Sequence, residues 1–134
     1  MRLLVFSDLH LDRDVESDGV GPDHAARRRA NLRACLDRIL DLADRHDVDA
    51  VLSAGDLYDH EHLQPGTASF LVDRLGQAGR RVFLAPGDRD PHTPDSLYAT
   101  TPWPANVHVF DHDLLVPVEL ADGIRLWGGA HRHH

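Results

Sequence analysis

The stretch Leu52-Ser53-Ala54-Gly55-Asp56-Leu57-Tyr58-Asp59 decides the fold, because an apolar run stops at a glycine and passes directly to two carboxylates. Residues 49–54 are too few for a helix and too apolar for a loop, so they read as a strand buried on both faces. Gly55 permits a turn that other residues resist. A carboxylate at the carboxyl end of such a strand stands where open α/β sheets place their ligands.

The same pattern recurs on either side. Residues 2–6 form a short apolar run that ends in Ser7-Asp8-Leu9-His10, and residues 81–85 form another that ends in Pro86-Gly87-Asp88-Arg89-Asp90. A polar loop at 11–22 leads into a helix expected near 23–46, with Asp23 as its N-cap. Leu32, Cys35, Leu36, Ile39, Leu42 and Ala43 make its apolar stripe, while Arg33 with Asp37 and Asp41 with Arg45 are expected as pairs on the wet side. A second helix is expected near 65–77, opened by Pro65, turned inward at Phe70, Leu71 and Leu75, and closed by Gly79. Strands and helices in βαβαβ order argue for parallel pairing with right-handed crossovers.

After Asp90 the texture changes. Pro91, Pro94, Pro102 and Pro104 mark a long loop with one helical turn at 95–99, followed by three short runs at 106–110, 114–120 and 124–127 that read as an antiparallel meander. The expected class is therefore α/β, a mainly parallel βαβαβ core plus a β meander, with residues 1–134 as one domain.

Composition narrows the function. With 42% hydrophobic residues and no apolar run of bilayer length, a spanning segment is excluded. The start in a strand-like run, without a leader, and the single Cys35 at a helical core position point to a reducing, cytoplasmic setting. A net charge of −8 argues against a direct grip on nucleic acid through its phosphates. Every basic residue is Arg, which fits codon bias in a GC-rich genome. The Arg27-Arg28-Arg29 cluster reads as a solvated face.

In a parallel sheet the three acid-bearing strand ends share one edge, so Asp8, His10, Asp56 and Asp88 are expected to converge. Packed anions repel, and burying each costs several kcal/mol unless a cation compensates. Bound metal is the simplest solution. Mixed carboxylate and imidazole donors suit Mn²⁺, Fe²⁺ or Zn²⁺ better than Ca²⁺.

Asp-x-His, Gly-Asp-x-x-Asp and a Gly-Asp-Arg-Asp standing where Gly-Asn-His-Asp is expected resemble, in order and spacing, the first three motifs of the calcineurin-like metallophosphoesterases. The long first loop and helix, Gly55-Asp56-Leu57-Tyr58-Asp59 and Trp103-Pro104-Ala105-Asn106-Val107-His108-Val109-Phe110 most resemble the nuclease subunits of SbcCD-type DNA repair exonucleases. The resemblance covers essentially the whole chain but only the amino-terminal part of that family's phosphoesterase domain, and implies part of an α/β/β/α sandwich. It implies that Asp8 and His10 bind one metal, that Asp56 bridges to a second, and that Asp88 replaces an asparagine ligand of the second. Asp59 and Asp90 are implied to orient those ligands. It further implies two divalent metals, Mn²⁺ ahead of Fe²⁺ or Zn²⁺, that would polarise the phosphoryl oxygens and supply a hydroxide for in-line attack. The implied substrate is DNA or another phosphodiester, and the implied partner an ATPase that supplies the DNA grip this acidic chain lacks.

The sequence departs from the family at the third motif. Asp88 adds a negative charge, and Arg89, at the family's catalytic His position, can clamp a phosphate but cannot release a proton near neutral pH. The family's later histidines, including a Gly-His-x-His, are expected beyond residue 134. His131, His133 and His134 do not match that order and read as a fragment end or the start of a tag. These losses predict that the 134 residues alone do not hydrolyse DNA at a useful rate. His60 and His62 read as loop histidines, Asp12 and Asp14 as solvated loop acids, Trp103 and Trp127 as core or loop-packing residues. Two other classes stay open: a non-catalytic, regulatory metal-binding domain of the same fold, and an interaction module whose carboxylates only cap loops.

Overall fold

The computed structural model describes residues 1–14, 19 and 21–133. The chain runs β1 (Leu3–Phe6), α1 (Pro22–Arg45), β2 (Ala50–Ser53), a 3₁₀ turn (His60–His62), α2 (Thr67–Gly76), β3 (Arg81–Leu84), α3 (Leu97–Thr100), β4 (Val107–Val109), β5 (Val116–Ala121) and β6 (Ile124–Gly128). Strands β1 to β4 make one sheet in chain order, and β5 and β6 make a second, two-stranded sheet. All three pairings of the first sheet are parallel; Val5, Leu52 and Phe83 lie in one row, and Phe6, Ser53 and Leu84 in the next. This is the α/β class that the sequence predicts.

Side chains alternate across the first sheet. One face presents Leu4, Phe6, Val51, Val82, Leu84, Val107 and Val109 to a core that takes Leu36 and Ala43 from α1, Leu71 and Leu75 from α2, and Tyr98 from α3. The other face presents Ala50, Leu52, Phe83 and Phe110 to Val116, Val118, Leu120 and Leu126 of the β5–β6 hairpin. The sheet is thus packed between helices and a second sheet.

Several local expectations are corrected. The run at 106–110 does not join a meander: β4 pairs parallel to β3, with Val82 opposite Val107 and Leu84 opposite Val109. The proline-rich segment before it is a crossover through α3, and only β5 and β6 are antiparallel. Gly21, not Asp23, is the N-cap of α1; Pro22 takes the first helical position, where its missing N–H costs nothing, and Asp23 lies in the first turn. The stripe of α1 uses Leu40 in the core, while Leu42 is exposed. Arg33 and Asp37 do not pair with each other but reach across to α2: Arg33 donates to the Thr67 hydroxyl (3.2 Å) and lies over the Phe70 ring, and Asp37 accepts from Arg74 (2.6 Å). Arg45 donates to the Asp41 backbone carbonyl (3.4 Å) rather than to its carboxylate. Helix α2 begins at Thr67 rather than Pro65, behind Gly66 in the left-handed region. Trp103 packs against the core, but Trp127 is 56% exposed on the outer face of the hairpin. Among the described residues no helix is long and apolar enough to cross a membrane.

Candidate metal centre

The first two acid-bearing loops continue pairing after their strands end. The N–H of Asp8 donates to the Gly55 carbonyl (3.1 Å), that of His10 to Asp56 (2.9 Å), that of Leu11 to Leu57 (3.0 Å), and that of Asp59 back to Leu11 (2.8 Å). Two loops zipped in this way carry their side chains to one place. Asp8, His10 and Asp56 each offer a ligand atom, and these atoms lie within 4.8 Å of one another.

All three residues have left-handed backbones, with φ of 56° at Asp8, 49° at His10 and 56° at Asp56. Asp and His tolerate this region better than most residues, yet each instance costs about 1–3 kcal/mol and persists only where the surroundings enforce it. The zipped loops enforce it here. Gly55, with φ of 108°, lets the chain leave β2, and Gly87 must be glycine because a Cβ there would strike the Asp56 carboxylate and lie 2.7 Å from its backbone nitrogen.

The imidazole of His10 is fixed from behind. Its Nδ1–H donates to Asp59 Oδ1 (2.8 Å), which turns Nε2 towards Asp8 Oδ1 (3.8 Å) and Asp56 Oδ2 (3.9 Å). These gaps are too long for hydrogen bonds and leave room for a divalent cation, which Nε2 and the two carboxylate oxygens would hold. A carboxylate behind an imidazole that faces two further carboxylates is a donor set that fits a divalent metal.

Asp90 is fully buried and does not reach the cluster. Its Oδ1 accepts the N–H groups of Asp56 (3.0 Å) and Gly87 (2.6 Å), and its Oδ2 accepts the N–H of Leu57 (2.7 Å) and the hydroxyl of Tyr98 (2.5 Å). Burial raises the Asp90 carboxyl above its usual range, against the pull of these donors. Burial, then the Asp90 charge, pushes the Tyr98 phenol well above its ordinary value.

The two middle residues of the third motif lie outside that close group but beside it. Asp88 and Arg89 are exposed on the wall of a groove of about 500 Å³ that His10, Asp56 and Asp59 also line. Arg89 touches the cluster through its backbone, whose N–H donates to Asp56 Oδ1 (3.1 Å). His62, expected as a plain loop residue, lines the same groove, with Nε2 3.8 Å from Asp14 Oδ2. Asp12 is not a solvated acid: it is buried with φ of 65° and accepts the Gln64 N–H (3.0 Å) and the Thr67 hydroxyl at the start of α2. Positive φ recurs at Asp8, His10 and Asp12, every second residue of one folded turn, but no sequence signal separates Asp12 from Asp14. Tyr98 was likewise invisible as a site-facing residue, being one aromatic in a proline-rich stretch.

The chain belongs to the calcineurin-like phosphoesterase family, whose model matches residues 1–133. Among its relatives is an uncharacterised metallophosphoesterase, YhaO, of Bacillus subtilis, 32% identical over 108 residues that make up 78% of this chain and 26% of that protein. Another is one of the subunits of the nuclease SbcCD of Escherichia coli K12, 34% identical over 94 residues, covering 67% of this chain and 21% of that protein. The chain therefore spans about a quarter of the length of these relatives.

Proposed function

We propose that this chain is the amino-terminal part of a metal-dependent phosphodiesterase, the nuclease component of a DNA exonuclease that works in the cytoplasm with an ATPase partner. The observation that carries the reading is the coincidence of donor chemistry and backbone strain: Asp8, His10 and Asp56 face one another, and all three are held at positive φ. Kinship with part of a nuclease supports the choice of substrate, and the acidic charge of −8 supports a separate DNA-gripping partner.

In this reading Asp8, His10 and Asp56 would hold one divalent metal, Mn²⁺ by choice of donors, and Asp88, on the wall of the same groove, would help Asp56 to hold a second more weakly. When bound, such metals stabilise charge on the phosphoryl oxygens and activate water as a nucleophile. The chain's own residues do the positioning. Asp59 keeps the His10 proton on Nδ1 and leaves Nε2 as donor. Asp90 fixes the backbone N–H groups of Asp56 and Leu57. Arg89 grips a phosphoryl oxygen from the groove wall and stays protonated, so it does not supply a proton to the leaving oxygen. A missing general acid commonly costs about 10²–10⁴-fold, so the 134 residues alone are expected to leave linear duplex DNA intact in Mn²⁺.

The test is calorimetric titration with Mn²⁺ in a background where His131, His133 and His134 are Gln. Saturable heat from the parent and none from Asp56→Ala is expected; identical heats remove the reading. The exposed Asp88-Arg89 pair also favours a second reading, a non-catalytic regulatory metal-binding domain. Hydrolysis of an activated phosphodiester by the full-length gene product separates the two.

A further inference from the structure

We propose that Tyr98, on α3, is a positioning residue for the metal centre: its hydroxyl holds the Asp90 carboxylate against the Asp56 and Leu57 amides, and so fixes the backbone from which Asp56 presents its ligand oxygen. The inference rests on the metal-binding reading above.

The chain of contacts is short and wholly buried at its middle. Tyr98 Oη donates to Asp90 Oδ2 (2.5 Å); the same oxygen accepts from Leu57 N (2.7 Å), and the other accepts from Asp56 N (3.0 Å). Asp56 has φ of 56°, so its amide direction is not one the residue takes by preference. Asp90 is the group that pins that amide, and Tyr98 is the one side chain among the described residues seen to hydrogen-bond Asp90. Without the hydroxyl, Oδ2 keeps a single donor in a buried setting, where a carboxylate short of donors is costly, and the Asp90 grip on Leu57 loosens. The neighbouring Tyr58 provides a natural control. Its ring lies 5.2 Å from that of Tyr98, and its hydroxyl also anchors α3, by accepting the Leu97 N–H (3.1 Å), but it has no such bond to Asp90.

Tyr98→Phe, Tyr58→Phe, Asp90→Asn and the Tyr98→Phe/Asp90→Asn double variant are titrated with Mn²⁺, with urea unfolding of each alongside. Loss of an outer partner of a metal ligand costs about 10–100-fold in affinity, and Tyr98 stands one bond further out, so the lower end, about 10-fold, is expected for Tyr98→Phe. Tyr58→Phe should lose comparable stability and bind Mn²⁺ within about twofold of the parent. The double variant should bind no more weakly than Asp90→Asn, since coupled groups are not additive. Unchanged affinity in Tyr98→Phe, an equal loss in Tyr58→Phe, or additive losses in the double variant would each overturn the inference. If Tyr98→Phe does not fold, the Asp56 and Leu57 amide shifts in Asp90→Asn and Tyr58→Phe decide: movement in the first alone is expected, and movement in both, or in neither, overturns it. A parent that binds no Mn²⁺, or an Asp56→Ala variant that binds it equally well, defeats the metal reading itself, an outcome distinct from a parent that binds and a Tyr98→Phe that binds as well.

Discussion

After β1 and β2 the chain turns into the left-handed region at Asp8, His10 and Asp56, whereas after β3 no residue from 86 to 90 does so. The two kinds of loop look alike in sequence, each an apolar strand ending in acids. They differ in what the acids do. In the first two loops the carboxylates and imidazole face one another across gaps of 3.8 and 3.9 Å. In the third, Asp88 faces solvent and Asp90 turns inward to hold the amides of the second loop. Backbone strain and donor geometry thus coincide at Asp8, His10 and Asp56, and the third loop braces them through Asp90.

The largest expected effect breaks that contrast directly. Asp8→Ala should remove the tighter Mn²⁺ binding event, weakening it by about 100-fold or more, the upper end of what even outer partners of a metal cost. Asp88→Ala should leave that event intact and abolish only the weaker one. Calorimetric titration of both variants reads the difference, and equal losses would show that the third loop contributes donors on the same footing as the first.

Next in size is the bracing role. Asp90→Ala leaves the buried Leu57 amide and Tyr98 hydroxyl, and the part-buried amides of Asp56 and Gly87, without their acceptor. Each unsatisfied buried donor costs about 1–3 kcal/mol, and relaxation recovers part of the sum, so about 3–5 kcal/mol is expected from urea unfolding. Asp59→Ala, whose partner His10 remains partly open to water, should cost less than half as much.

The strands, their acid ends and the gathering of Asp8, His10 and Asp56 were legible because apolar runs closed by Gly-Asp or Ser-Asp specify a buried strand and its turn locally. What was illegible depends on contacts between loops far apart in sequence. Nothing in Asp12 and Asp14 says that one is buried beneath α2 and the other is not; that follows from the Gln64 amide and the Thr67 hydroxyl. Nor does the Gly-Asp pattern that Asp88 shares with Asp56 say that Asp56 joins the close group while Asp88 stays exposed on the groove wall. The parallel β4 was hidden because prolines disguised a crossover as a loop. Asn106 fixes the entry to that strand, its side chain donating to the carbonyls of Leu75 (2.8 Å) and Arg80 (2.9 Å).

The smallest expected effect sharpens the contrast by sitting on β3's far side, away from the centre. His108, on β4, packs its ring against Phe83 and Phe110 at centroid distances of 5.8 and 4.8 Å. Burial, then the Arg81 guanidinium, lowers its pKa, with Asp111 pulling weakly the other way. The folded state therefore prefers the neutral ring, and between the lowered value and the unfolded value of about 6.5 the unfolded chain binds more protons. The stability that His108 contributes is present in full above about pH 6.5 and falls away as pH drops from there to the folded value. His108→Gln should flatten this dependence while leaving Mn²⁺ affinity at neutral pH unchanged. Urea unfolding of parent and variant at pH 7.5 and 5.5 isolates the residue from the other histidines, because only the difference between the proteins is compared. A difference that does not change with pH would show that the ring is as free to take a proton in the folded protein as in the unfolded chain.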